Sequence, residues 1–111
     1  MSQIVQSGGE LQGILKSEDM VFVLFYASWC PFSLRFLQVY EKHSRGREKN
    51  FFRMVIDGNE DVFENYEIEV YPSVIFFKKG EVVRRLDGKH LAGLDEKQLV
   101  GLIDWCGLKR A

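Results

Sequence analysis

Apolar positions along the chain alternate between two spacings, and each change of spacing marks a new element. Ile4-Val5 is a short apolar pair suited to an edge strand. Ser7-Gly8-Gly9-Glu10 then fits a capping box, in which the serine oxygen and the glutamate satisfy amides left open at a helix start. Leu11, Ile14 and Leu15 follow at helical spacing and give that helix one apolar face. The run Met20-Val21-Phe22-Val23-Leu24-Phe25-Tyr26 is continuous and rich in β-formers, which predicts a strand covered on both faces. From Pro31 to about His43 the helical spacing returns, with Phe36, Leu37 and Tyr40 on one side. Proline suits the first helical turn, where its missing N–H costs nothing, and His43 near the end favours the helix dipole when charged.

Charged residues around Gly46 mark a solvated loop, and Phe51-Phe52-Arg53-Met54-Val55-Ile56 is the next strand. Asp57-Gly58-Asn59 turns into a short helix carrying Val62, Phe63 and Tyr66. After Tyr71-Pro72, the runs Ser73 to Phe77 and Glu81 to Leu86 flank Lys78-Lys79-Gly80, a β-hairpin with its glycine in the turn. Asp95 and Gln98 cap a last helix, on which Leu99, Leu102, Ile103 and Cys106 form an apolar stripe. The order is β-α-β-α-β-α-β-β-α, which predicts a single α/β domain over residues 1–111. Parallel crossovers come first, then an antiparallel hairpin and a closing helix, so the central sheet is mixed, with helices on both faces.

Composition narrows the function classes. A chain of 111 residues can bury a core without metals or disulfides, and a net charge of −1 points to neither nucleic acid nor an anionic membrane. The longest apolar run is far too short to cross a bilayer. Met1 to Leu11 is polar and glycine-bearing, unlike a signal peptide. The expectation is a soluble, cytoplasmic monomer. Its two cysteines, Cys30 and Cys106, make no disulfide framework. Cys106 reads as core packing, and neither His43 nor His90 has ligands at metal spacing, so no metal or cofactor is expected.

The chemistry gathers at Trp29-Cys30-Pro31-Phe32-Ser33, where an apolar strand runs into a cysteine and a helix leaves it. Open amides and the dipole at a helix start favour the thiolate, the form that attacks disulfides. Ser33, one turn on, is placed to offer its hydroxyl to the sulfur. A second thiol there would make a dithiol switch; the serine removes it.

These residues lie within a longer set. Phe25-Tyr26-Ala27-Ser28-Trp29-Cys30, Val55-Ile56-Asp57, Tyr71-Pro72-Ser73 and Phe76-Phe77-Lys78-Lys79-Gly80-Glu81-Val82 together resemble thioredoxin over essentially the whole chain, the first run being closer to protein disulfide isomerase domains. The resemblance implies the thioredoxin fold with a five-stranded sheet. It implies that Cys30 is the attacking thiol and that Ser33 stands where the resolving cysteine would be. Pro72 matches the family's cis-proline, Tyr71 the residue that meets a substrate strand, and Trp29 the tryptophan bordering the groove. Gly88 matches the glycine of the facing loop, and Phe32 can add apolar surface beside Trp29 and Tyr71. The family's buried acid is replaced by Leu24, and Arg53 stands for a lysine near it; the loop Lys89-His90-Leu91-Ala92-Gly93 is a few residues longer.

The resemblance thus implies a monothiol Cys-x-x-Ser protein of cell redox homeostasis, forming mixed disulfides with protein or glutathione disulfides and resolved by an external thiol. Three alternatives stay open. One is a non-catalytic domain holding a peptide against Trp29, Phe32, Tyr71 and Pro72. Another is a trapping form of a dithiol reductase, with Ser33 in place of its second cysteine. The last is an iron–sulfur-binding monothiol glutaredoxin, since Cys-Pro-Phe-Ser is one residue from that family's Cys-Gly-Phe-Ser; against it, no lysine precedes the motif.

Overall fold

Alternation on two central strands decides the architecture. In the computed structural model, which describes residues 1–110, the elements are β1 (Gln3–Ile4), α1 (Gly8–Ser17), β2 (Met20–Tyr26), α2 (Pro31–Ser44), β3 (Phe51–Val55), α3 (Glu60–Asn65), β4 (Ser73–Lys78), β5 (Glu81–Asp87) and α4 (Glu96–Cys106). They fall in the expected order. The sheet runs β1-β3-β2-β4-β5, with β1, β3 and β2 parallel and β4 and β5 antiparallel additions.

Val21 to Phe25 are fully buried, as a strand covered on both sides requires. Val21, Val23 and Phe25, with Ile75 and Phe77 of β4, pack toward Leu11 and Leu15 of α1 and Val62 and Phe63 of α3. Phe22 and Leu24, with Val74 and Phe76, pack toward Phe36 and Tyr40 of α2 and Leu99, Leu102 and Ile103 of α4. Each large apolar side chain buried this way contributes about 1.5–3 kcal/mol. Cys106 is half-buried against the second cluster, as its place on the apolar stripe predicts.

Local signals hold the helices in place. Ser7 Oγ accepts the Glu10 amide at 3.1 Å at the start of α1. Asp95 and Gln98 form the expected reciprocal capping box of α4, at 2.8 and 3.0 Å. α2 and α4 are further joined at the surface, where Lys42 and His43 both reach the Glu96 carboxylate, at 2.8 and 2.7 Å. Tyr66 is the C-cap of α3 rather than part of it. Among the described residues no helix is long and apolar enough to cross a membrane.

The register builds one end of the molecule. Phe25 at the end of β2 pairs with Ser73 at the start of β4, and Ser73 pairs with Asp87 at the end of β5. The loops carrying Cys30, Pro72 and Gly88 therefore converge, although they are far apart in sequence.

Candidate active site

Cys30 is the N-cap of α2, and Pro31 takes the first helical position. The cysteine is half-buried and makes no side-chain cap bond, so its sulfur is not spent on the helix start. Its Sγ lies 3.9 Å from the Tyr71 carbonyl oxygen. The Tyr71–Pro72 peptide is cis, as the resemblance implies for Pro72.

The Pro72 loop is closed by a relay. Ser73 Oγ donates to the Val70 carbonyl at 2.7 Å and accepts the Gly88 amide at 3.3 Å. Gly88 is needed here for close approach, because a Cβ at this position would stand 2.3 Å from the Pro72 carbonyl oxygen. Gly93 has φ +70 and lies against Phe32 and Pro72.

Ser33 departs from the sequence expectation. It is fully buried, and its Oγ accepts the Ala27 amide at 3.2 Å instead of bonding the Cys30 sulfur. The physical reason is the sharp turn from β2 into α2, which leaves the Ala27 N–H without a strand partner and aims it at the first helical turn.

A cavity of about 290 Å³ opens over Cys30, walled by Trp29, Phe32, Val70, Tyr71 and Leu91, with Glu69, Lys89 and His90 also lining it. Trp29 is 66% exposed and meets Tyr71 edge-on at 6.0 Å. Phe32 is half-buried, and Arg35 lies 5.3 Å over its ring while donating to the Ala92 carbonyl at 3.2 Å. These contacts tie the longer loop to α2, and the backbone bonds between Lys89 and Gly93 close it into a tight turn. His90, in the extended loop, is exposed and lines this cavity. Burial, and after it the Glu60 carboxylate, hold the Tyr71 phenol above its ordinary range.

Sequence reasoning did not find Glu69, Val70 or Leu91 as cavity residues. The only signal was their nearness to Pro72 and the extra loop length. Ser28 Oγ also donates to the Asp57 carboxylate, at 3.2 Å to one oxygen, linking the Cys30 loop to the end of β3.

Leu24 and Arg53 explain what replaces the family's buried acid. They are register partners on β2 and β3, and Leu24 is fully buried. The Arg53 guanidinium turns away to the Ser2 carbonyl at 2.7 Å and to Glu41 on α2 at 3.4 Å. Among the described residues no group of three or more Cys, His, Asp or Glu could hold a metal ion.

The thioredoxin family model matches residues 4–104. A thioredoxin-like protein of Fusarium culmorum is 33% identical over 99 residues, covering 86% of this chain and 82% of that protein. Monothiol glutaredoxin-S17 of Arabidopsis thaliana is 30% identical over 94 residues; the match covers 84% of this chain but only 19% of that longer protein. Among solved structures, a thioredoxin of Plasmodium falciparum superposes with a TM-score of 0.81 at 30% identity, covering 93% of this chain and 97% of that one.

Proposed function

The chain belongs to the thioredoxin family, and from that premise we propose that it is a monothiol exchange protein whose reacting atom is Cys30 Sγ. The observation that carries this reading is the placement of a half-exposed thiol at the open N-terminus of α2, 3.9 Å from the backbone carbonyl that precedes Pro72. In the first step the Cys30 thiolate attacks one sulfur of a protein or glutathione disulfide. The old S–S bond breaks, the leaving thiolate takes a proton from solvent, and Cys30 is left in a mixed disulfide.

Ser33 cannot attack that bond. A second, external thiol therefore does so: its thiolate displaces the Cys30 sulfur and leaves in a new disulfide with the former substrate. A reducing compartment such as the cytoplasm supplies such thiols. Trp29, Phe32, Tyr71 and Pro72 would hold the substrate chain, with Gly88 keeping the facing loop clear. The match to a relative named a monothiol glutaredoxin supports the reading of a site that works with one thiol.

The test is to mix the reduced protein with a peptide disulfide and map the adduct by mass spectrometry. The reading expects one adduct, at Cys30, that persists until glutathione is added. Loss of the adduct in Cys30→Ala and its retention in Cys106→Ser complete the assignment. Full binding of the same peptide by Cys30→Ala, with no adduct in the parent, would instead favour a domain that holds peptides without reacting.

A further inference from the structure

Between Arg53 and Lys78 the sequence carries six carboxylates, Asp57, Glu60, Asp61, Glu64, Glu67 and Glu69, and no Lys, Arg or His. The fold sets four of them around an apolar groove. Ile56, Phe63, Ile68 and Tyr71 form the floor of this groove, about 510 Å³ in volume, and Glu60, Glu64, Glu67 and Glu69 form its rim. Tyr71 and Glu69 also wall the cavity over Cys30, so the two depressions adjoin across these residues.

Negative charge outweighs positive around the rim, although Arg85 shares a depression with Glu67 and Glu69, and Lys89 shares the Cys30 cavity with Glu69. None of its four carboxylates is in an ion pair among the described residues. Arg85 reaches the Tyr66 and Glu67 carbonyls, but its guanidinium is held by Asp87 at 2.7 Å. Lys89 and His90 line the Cys30 cavity rather than this groove. On the wall shared with the reactive site, burial and then Glu60 push the Tyr71 phenol up.

An apolar floor with an anionic rim matches one kind of side chain: an aliphatic stem ending in a cation. We infer that this groove receives a lysine or arginine of a polypeptide whose disulfide is presented to Cys30, and that the protein selects cationic polypeptide disulfides over anionic ones. Glutathione disulfide, which carries net negative charge, is disfavoured by the same field. The inference rests on the exchange reading above and narrows its substrate class.

The experiment uses three disulfide-linked peptide dimers, blocked at both ends, that differ only in Lys, Gln or Glu two residues from the cysteine. Formation of the Cys30 adduct is timed by mass spectrometry at low and high salt. The lysine peptide is expected to react on the order of tenfold faster than the glutamate peptide at low salt, through electrostatic steering and docking. High salt should shrink that ratio toward one, because the rim is exposed and screened. In the variant carrying Glu60→Gln, Glu64→Gln and Glu67→Gln, the ratio should also approach one. Equal rates for the three peptides at low salt overturn the inference while leaving the exchange reading standing. No adduct with any peptide overturns the exchange reading itself. Because the salt comparison uses the unaltered protein, the inference stays testable if the triple variant fails to fold.

Discussion

Single atoms set the character of the Cys30 site. The buried Ser33 hydroxyl satisfies the Ala27 amide, so the strand-to-helix turn relies on an acceptor at position 33. A thiol there would keep a weak acceptor for that amide and add a nucleophile within the same helical turn. Ser33→Cys is therefore expected to shed the Cys30 adduct without added thiol, since an intramolecular attack has a high effective concentration. Following adduct lifetime in thiol-free buffer checks this; an adduct as long-lived as in the parent would refute it. Gly88 is a packing requirement of another kind. A methyl group only 2.3 Å from the Pro72 carbonyl forces the loops apart, so Gly88→Ala should cost about 2 kcal/mol or more in urea unfolding and slow adduct formation. The second thiol behaves differently again. Burial pushes the Cys106 thiol up from its ordinary range, so at mildly alkaline pH it should alkylate more slowly than a cysteine in an unfolded peptide.

At the scale of the element, α4 shows how a boundary written in sequence becomes a tertiary tie. Asp95 caps the helix through the Gln98 amide, and Asp95→Ala should cost about 1 kcal/mol. The next residue, Glu96, joins α4 to α2: bonds from Lys42 and then from His43 lower its carboxyl pKa. A carboxylate depressed in the folded state stabilises at pH values above its unfolded pKa, and that stability is lost as pH falls through the lower, folded pKa. Glu96→Gln should thus lower the Tm at neutral pH, with the difference from the parent disappearing on acidification below the ordinary glutamate range. A Tm difference that held constant from neutral to acid pH would contradict this assignment. The capping box of α4, the apolar stripes and the hairpin glycine were readable because each depends on near neighbours in sequence. At α1, by contrast, only the Ser7 half of the expected box forms, and Glu10 accepts the Gln6 amide instead. The partner of Glu96 on α2 was not readable, since it depends on how two helices meet across 53 residues of chain.

For the molecule as a whole, the two-sided core was legible and the routing of buried charge was not. Continuous apolar runs at β2 and β4 could only be covered on both faces, and order alone then fixed a mixed sheet. The resemblance placed Cys30, Pro72 and Gly88 together, yet it could not say where Arg53 turns once Leu24 removes the family's acid. The structure sends that guanidinium outward to Ser2 and Glu41, leaving the core beneath the Cys30 site apolar between β2 and α2. Under the monothiol reading proposed above, no buried group is needed to take a resolving thiol's proton. Reinstating the acid tests it. Leu24→Asp would bury a carboxyl among Phe22, Phe36, Tyr40 and Val74, with Arg53 already engaged, at an expected cost of ~3–5 kcal/mol. Such a carboxyl is easier to bury protonated, so its folded pKa lies above the unfolded value and the deficit should grow as pH rises through the acid range. Denaturation of the variant at acid and neutral pH measures this. A small, pH-independent deficit would mean that Arg53 leaves Glu41 and Ser2 to meet the new carboxylate. The charge pair would then be movable, and the apolar core under Cys30 would be a matter of the residue at position 24 alone.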